Sequence, residues 1–161
     1  MDMKSKQALA AYTDLVRAIE SVEMLLENQA AHFHLTLNQF QALAALLRFG
    51  TMTQADISAE LFRCDSTVIV IVRNLEKKGL LVRAPHETDK RKWNISLTSA
   101  GEKLAARILP EHARLIRAQM AALGRREQKT LGSLCRKLRE GDPLKFLLEM
   151  TLMDEDEIEE D

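Results

Sequence analysis

Apolar side chains recur at steps of three and four along the start of the chain: Leu9, Tyr12, Leu15, Val16, Ile19, Val22, Leu26, Ala30 and Phe33. That spacing predicts a long amphipathic helix over Ala8–Phe33. A second helix opens at Thr36, buries Phe40, Leu43 and Leu47, and ends near Gly50. Thr53-x-x-Asp56 has the form of a capping box and starts a short third helix carrying Ile57 and Leu61. Next comes an uninterrupted β-branched run, Val68 to Val72, which alone reads as a buried strand. Its surroundings argue for helix. Val68, Ile71, Val72 and Leu75 form one stripe at i, i+3, i+4 and i+7, Asp65 is a suitable N-cap, and Gly79 stands where a left-handed C-cap residue belongs. The β-branched residues weaken a helix by roughly a few tenths of a kcal/mol each, which burial of the stripe outweighs.

After Gly79 the period changes. Leu81–Ala84 and the alternating Trp93, Ile95 and Leu97 flank the polar stretch "PHETDKRK", which predicts a hairpin. Thr98 opens another long helix with Leu104, Ile108, Leu115 and Leu123 on one side, and Pro110 is expected to bend or interrupt it. A last helix spans about Arg125–Glu140 with Leu131, Leu134 and Leu138 apolar; "GDP" breaks it and "LKFLLEM" adds a final apolar turn or two. The predicted fold is mostly α with a small β-hairpin wing. No internal repeat is visible.

Two short helices joined by a tight turn, the second followed at once by a basic hairpin, make a winged helix-turn-helix pattern. The reading helix would be residues 65–78 and the wing residues 83–97. Opposite the buried stripe lie Ser66, Val70, Arg73 and Lys77, with Asn74 beside them. Arg73 and Asn74 can pair with base edges or phosphates. Ser66 and Thr67 sit at the positive end of the helix, where phosphates are favoured. Val70 can offer only apolar contact, for instance to a thymine methyl.

Charge sharpens this picture. The net charge is −1, but residues 154–161, "DEDEIEED", hold seven acids and no base. Without them 17 acids face 23 bases, so the rest of the chain carries +6. Residues 63–92 alone have eight bases and four acids. A basic middle with an acidic tail fits an anionic partner such as double-stranded DNA. The tail itself reads as disordered and solvating. The longest apolar run, Ala42–Leu47, is too short for a membrane span, and residues 1–15 lack the apolar stretch of a secretion signal. Two distant cysteines do not suggest a disulfide framework, so a cytoplasmic protein without membrane contact is expected. No Gly-rich phosphate loop, metal-ligand spacing or nucleophile elbow points to an enzyme, a cofactor or a metal.

The wing sequence "DKRKWNISLTSAG" resembles that of the MarR family of bacterial transcriptional regulators. The matching positions are Asp89, Arg91, Leu97, Thr98 and Gly101, and "NLEKKGLLVR", Asn74 to Arg83, is a second match. The resemblance runs from the first helix to about residue 140. It implies a homodimer built by the first and last helices of both chains, reading a pseudo-palindromic operator. It also divides the chain into an N-terminal dimerisation helix (1–35), a winged helix-turn-helix (36–100), C-terminal dimerisation helices (101–153) and the acidic tail (154–161). Apolar stripes at both ends of a chain with a compact middle suit the same assembly. By position, Arg91 would enter the minor groove with Asp89 as its orienting partner and Lys90 beside it. The family habit is repression relieved by a small aromatic or phenolic effector, and Tyr12, His32 and His34 are candidates to line its pocket. Where the family often has a polar or basic pair, this chain has Ile69 and Val70. That departure motivates one alternative, a winged-helix module that docks on protein. Another is a thiol-based redox-sensing regulator using Cys64, just before the reading helix; Cys135 reads as core.

Overall fold

The computed structural model describes residues 2–89 and 91–141. It divides into two compact units, residues 1–119 and 120–161. The first contains helices α1 (Met3–Ala31), α2 (Leu37–Phe49), α3 (Gln54–Leu61) and α4 (Asp65–Lys77), and strands β1 (Met52–Thr53), β2 (Leu81–Pro85) and β3 (Trp93–Leu97). It also holds nearly all of α5 (Ser99–Met120). The second contains α6 (Arg125–Arg139).

The β-branched run is helical. Val68, Ile71, Val72 and Leu75 of α4 are buried in a core shared with Phe40 and Leu43 of α2, Ile57 of α3 and Ile95 of β3. The N-cap is Cys64 rather than Asp65: Cys64 has extended backbone, and Asp65 is the first helical residue. Asp65 still favours this end, because a carboxylate in the first turn faces the positive pole of the helix. At the other end Gly79 takes φ +69. Its N–H donates to Glu76 O while Leu80 N–H donates to Leu75 O, the paired closure of a Schellman motif.

Both predicted helix starts before it are present. Thr36 and Gln39 cap α2 reciprocally, and Thr53 and Asp56 do the same for α3. β1 is an element the sequence did not signal, since two residues with one apolar side chain show no alternation. It pairs Met52 with Ile95, turning the hairpin into a three-stranded antiparallel sheet of order β1-β3-β2. The hairpin register places Leu81 opposite Leu97 and Pro85 opposite Trp93. Thr98 ties sheet to helix: its hydroxyl donates to Gly79 O and accepts from Gly101 N–H. Gly101 lies so near Leu80 that a Cβ there would stand 2.1 Å from its carbonyl oxygen. The Leu-Thr-x-x-Gly pattern therefore has a local cause.

α1 begins at Met3, earlier than Ala8, with Asp2 accepting from Ser5 N–H as its cap, and ends at Ala31. Only its last turns are buried, through Leu26, Gln29 and Ala30; Leu9, Tyr12, Ile19 and Met24 remain exposed. α5 packs through Gly101, Ala105 and Ile108 and continues through Pro110, so of the expected bend or interruption the interruption does not occur. The ring removes one N–H, a loss of a single bond in a helix of 22 residues. Leu123 falls beyond the end of α5.

In the second unit, Gly124 N–H donates to Glu127 at the start of α6. No residue of α6 is buried, and Leu134 and Leu138 are 55% and 68% exposed. Cys135 is exposed as well, which corrects its reading as core. The "LKFLLEM" segment and the acidic tail lie outside the described residues.

Candidate nucleic-acid interface

The outward side of α4 carries the residues expected there. Ser66, Val70, Arg73 and Lys77 are exposed, and Thr67 and Asn74 are half-buried on the flank toward the core. Glu76, a carboxylate of the same helix, is taken up by Arg83 of β2: Nη2 lies 2.6 Å from Oε2 and Nε donates to Oε1 at 3.0 Å. Arg83 in turn lies over the Trp93 ring, 5.6 Å from its centroid. The pair joins α4 to the base of the hairpin and neutralises a negative charge beside Arg73 and Lys77. Neither of those cations has a carboxylate partner among the described residues.

The wing tip is closed by backbone bonds from His86 N–H to Lys92 O and from Lys92 N–H to Asp89 O. Asp89 accepts from the backbone N–H of Arg91 at 3.1 Å, and its second oxygen lies 3.9 Å from Lys92 Nζ. It therefore shapes the loop that carries Arg91 instead of gripping the guanidinium. The Arg91 side chain stays exposed and unpaired among the described residues. Lys90 lies outside the described residues.

Cys64 is exposed, with Sγ 3.2 Å from Ser66 Oγ and 3.1 Å from Thr67 Oγ1. Hydrogen bonds from Ser66 and then Thr67 lower its pKa to about 7 by stabilising the thiolate.

The three effector candidates do not meet. His32 borders a cavity of about 310 Å³ between α1 and α5, beside Asn28, Phe33 and Glu111. Tyr12 sits twenty residues earlier on α1, roughly 30 Å away along the helix. His34, at φ +57, is used through its backbone: its carbonyl accepts from Lys78 Nζ. A larger cleft of about 580 Å³ lies elsewhere in the same unit, lined by α2, the end of α3 and α5, with Phe40, Arg48, Phe49, Phe62 and His112 in its wall. The Phe40 and His112 rings stand 4.7 Å apart at 58°, and the Arg48 guanidinium lies 4.8 Å over the Phe49 ring.

Below that cleft the buried Gln29 fixes His112. Gln29 Nε2 donates to Ile108 O at 3.4 Å, leaving Oε1 to meet His112 Nδ1 at 3.0 Å. Burial holds the His112 pKa below its ordinary value, so the ring is neutral and donates from Nδ1. Nε2 is left as an acceptor. A local feature that could have pointed to this cleft is an aromatic residue beside an arginine at a helix end, Arg48-Phe49-Gly50, but nothing in the spacing joined it to His112. Among the described residues no cluster of His, Cys, Asp and Glu could hold a metal ion.

The sequence model of the MarR family matches residues 34–92, from the turn after α1 through the wing tip. The HTH-type transcriptional regulator FarR of Neisseria gonorrhoeae is 32% identical over 111 residues, covering 69% of this chain and 74% of FarR. The S. aureus MepR–DNA complex superposes with a TM-score of 0.72 at 28% identity, covering 79% of this chain and 95% of that one. NadR in complex with 4-hydroxyphenylacetate gives 0.68 at 26% identity, covering 81% and 92%. With its capped helix-turn-helix, its Arg91-bearing wing and its Thr98/Gly101 junction, the chain belongs to the MarR family of winged-helix, DNA-binding transcriptional regulators.

Proposed function

We propose that the protein is a dimeric repressor that reads a pseudo-palindromic operator and is released from it by a small aromatic acid or phenol. The observation that carries the DNA-reading part is the shared exposure of Arg73 and Lys77 on α4 and Arg91 on the wing. Among the described residues all three lack a carboxylate partner, while the nearby carboxylate of Glu76 is taken up by Arg83. α4 enters the major groove, with Arg73 and Asn74 on base edges or phosphates and Ser66, Thr67 and Lys77 on the backbone. Arg91, presented by the Asp89 turn and flanked by Lys90, reaches the adjoining minor groove. The DNA-bound relative MepR supports this docking.

Dimerisation rests on the exposed apolar faces of α1 and α6, which a single chain leaves in water. The effector site is the cleft at Phe40, Arg48, Phe49, Phe62 and His112. Its walls stack an aromatic ring, Arg48 takes a carboxylate, and His112 Nε2 accepts from a hydroxyl. NadR, which binds 4-hydroxyphenylacetate, supports the ligand class. Phe62 couples cleft to DNA, since it stands two residues before the N-cap of α4. Repression follows if the ligand-free form is the one that occupies DNA.

The test is fluorescence anisotropy of DNA from upstream of the protein's own gene, against a scrambled duplex, at several salt concentrations. Tight, sequence-dependent, salt-sensitive binding that 4-hydroxyphenylacetate or salicylate weakens is expected. Equal weak binding to both duplexes overturns the reading. A second reading, thiol control, is favoured by the exposed Cys64 thiol with its pKa of about 7. It requires that alkylation of Cys64 abolish DNA binding and that Cys64→Ser resist the loss.

A further inference from the structure

Ile69 and Val70 stand at the centre of the reading helix, 41% and 55% exposed, in a family that often places polar side chains there. Their position on α4 says what they face. The neighbours of Val70 one turn away, at i−4, i−3, i+3 and i+4, are Ser66, Thr67, Arg73 and Asn74, all hydrogen-bonding residues. Val70 is thus an apolar point whose neighbours one turn away are all polar. Ile69 flanks it, with Ser66, Arg73 and the first-turn carboxylate Asp65 one turn away and its remaining neighbour Val72 turned into the core.

A protein partner suits this surface poorly. Two partly exposed aliphatic side chains form too small a patch for the apolar centre of a stable interface, which spans some hundreds of Å² per partner. Nor does the surroundings' charge fit an ordinary apolar socket, because Arg73 and Lys77 lie on the same face and Glu76 is neutralised by Arg83. A cationic, hydrogen-bonding face with one apolar point matches a polyanion that offers one kind of apolar group. The floor of the major groove is such a surface: its base edges present donors and acceptors, and its apolar group is the C5-methyl of thymine.

We infer that Val70, flanked by Ile69, reads a thymine methyl at the centre of each operator half-site, so that this protein distinguishes thymine from its unmethylated counterpart. The inference rests on the DNA-reading role proposed above and assigns the specificity of one position within it. Arg73 and Asn74 supply hydrogen bonds on either side of that methyl, and the apolar pair replaces a polar contact with a shape-and-desolvation contact.

The experiment uses full-length protein to select sites from a duplex library with a random core. Each thymine of the selected site is then replaced, one at a time, by deoxyuridine, which removes the methyl and leaves every hydrogen-bonding group. One symmetry-related thymine per half-site should be sensitive, with affinity falling roughly four-fold per methyl removed, the size expected for burying one such group. Val70→Ala should bind the thymine and deoxyuridine forms nearly equally, while Lys77→Ala should keep the full discrimination. A selected site with no methyl-sensitive thymine overturns the inference while leaving the DNA reader intact. Equal discrimination by wild type and Val70→Ala overturns it as well. Failure of the library to enrich any sequence overturns both this and the DNA-reading proposal.

Discussion

α4 and α6 are both amphipathic helices of similar length, yet they resolve their apolar faces in opposite ways. In α4, Val68, Ile71, Val72 and Leu75 are all buried against α2, α3 and the sheet. In α6 no residue is buried, and Leu134 and Leu138 keep more than half of their surface in water. The first helix repeats the contrast within itself, since α1 buries its last turns and exposes Leu9, Tyr12 and Ile19. A stripe that is satisfied within the chain makes a fold. One that is left open is the face assigned to the proposed dimer, and the two kinds should respond to mutation through different observables.

The largest effect is expected where four leucines meet in the proposed dimer, two from each chain. Leu134→Glu with Leu138→Glu should raise the dimer dissociation constant by at least about 100-fold, since each leucine contributes roughly 1.5–3 kcal/mol when fully buried. Sedimentation equilibrium should show monomer, while far-ultraviolet circular dichroism stays helical. Tight operator binding should vanish with the dimer, because one reading helix then makes half the contacts. A double variant that still sediments as dimer would place the interface elsewhere and erase the distinction between the two helices.

Leu75→Ala is the converse. Leu75 is fully buried in the core of the reading unit, so its truncation should cost about 2–5 kcal/mol in urea unfolding, part transfer and part cavity. Leu138→Ala should leave the helical content of the chain unchanged and act on the monomer–dimer equilibrium alone. Equal unfolding penalties at the two sites would contradict the comparison.

What the sequence revealed follows the same division. The α4 stripe was legible because its period, the Gly79 stop and the Thr53/Asp56 box before it are local signals that all point to one helix. The N-cap slipped by one residue because Asp65 and Cys64 both stand at the boundary, and the more familiar capping type sits on the inner side. β1 was not legible, since its pairing with Ile95 and Asn94 is a contact across some forty residues that two positions cannot announce. Nor was the cleft. Phe40 and His112 lie 72 positions apart and meet only because Gln29, on a third helix, holds the imidazole in place. Tyr12, His32 and His34 shared a plausible chemistry but not a place, and residue type without periodicity does not bring side chains together.

A smaller effect tests the outward side of α4 and the wing. Arg91→Ala removes an exposed, unpaired cation, so folding should be unchanged within about 0.5 kcal/mol. Operator affinity should fall by roughly tenfold and the slope of log affinity against log salt should flatten by about one per protomer. Arg83→Ala offers the contrast within the wing: it breaks the tie to Glu76 and returns a carboxylate to the reading face. Its loss of affinity should therefore come with added sensitivity to low salt, where the restored negative charge acts furthest.

The smallest effect lies at the N-terminus of α4, where the Cys64 thiol is exposed. Hydrogen bonds from Ser66 and Thr67 stabilise the Cys64 thiolate and bring its pKa from 9.0 to about 7. The folded-state value is depressed, so the thiolate's support for this helix start is present at high pH and is lost as pH falls through about 7. Iodoacetamide labelling of the native protein should accordingly accelerate with pH around a midpoint of about 7, read by mass spectrometry at the Cys64 peptide. Ser66→Ala should move the midpoint upward, because it deletes the larger of the two hydroxyl contributions. Cys135 provides the internal control on α6, where the thiol has no hydroxyl within hydrogen-bond reach among the described residues. A Cys64 midpoint unmoved by Ser66→Ala would mean that the helix end, not the hydroxyl pair, sets the thiol's acidity, and that α4 differs from α6 in packing alone.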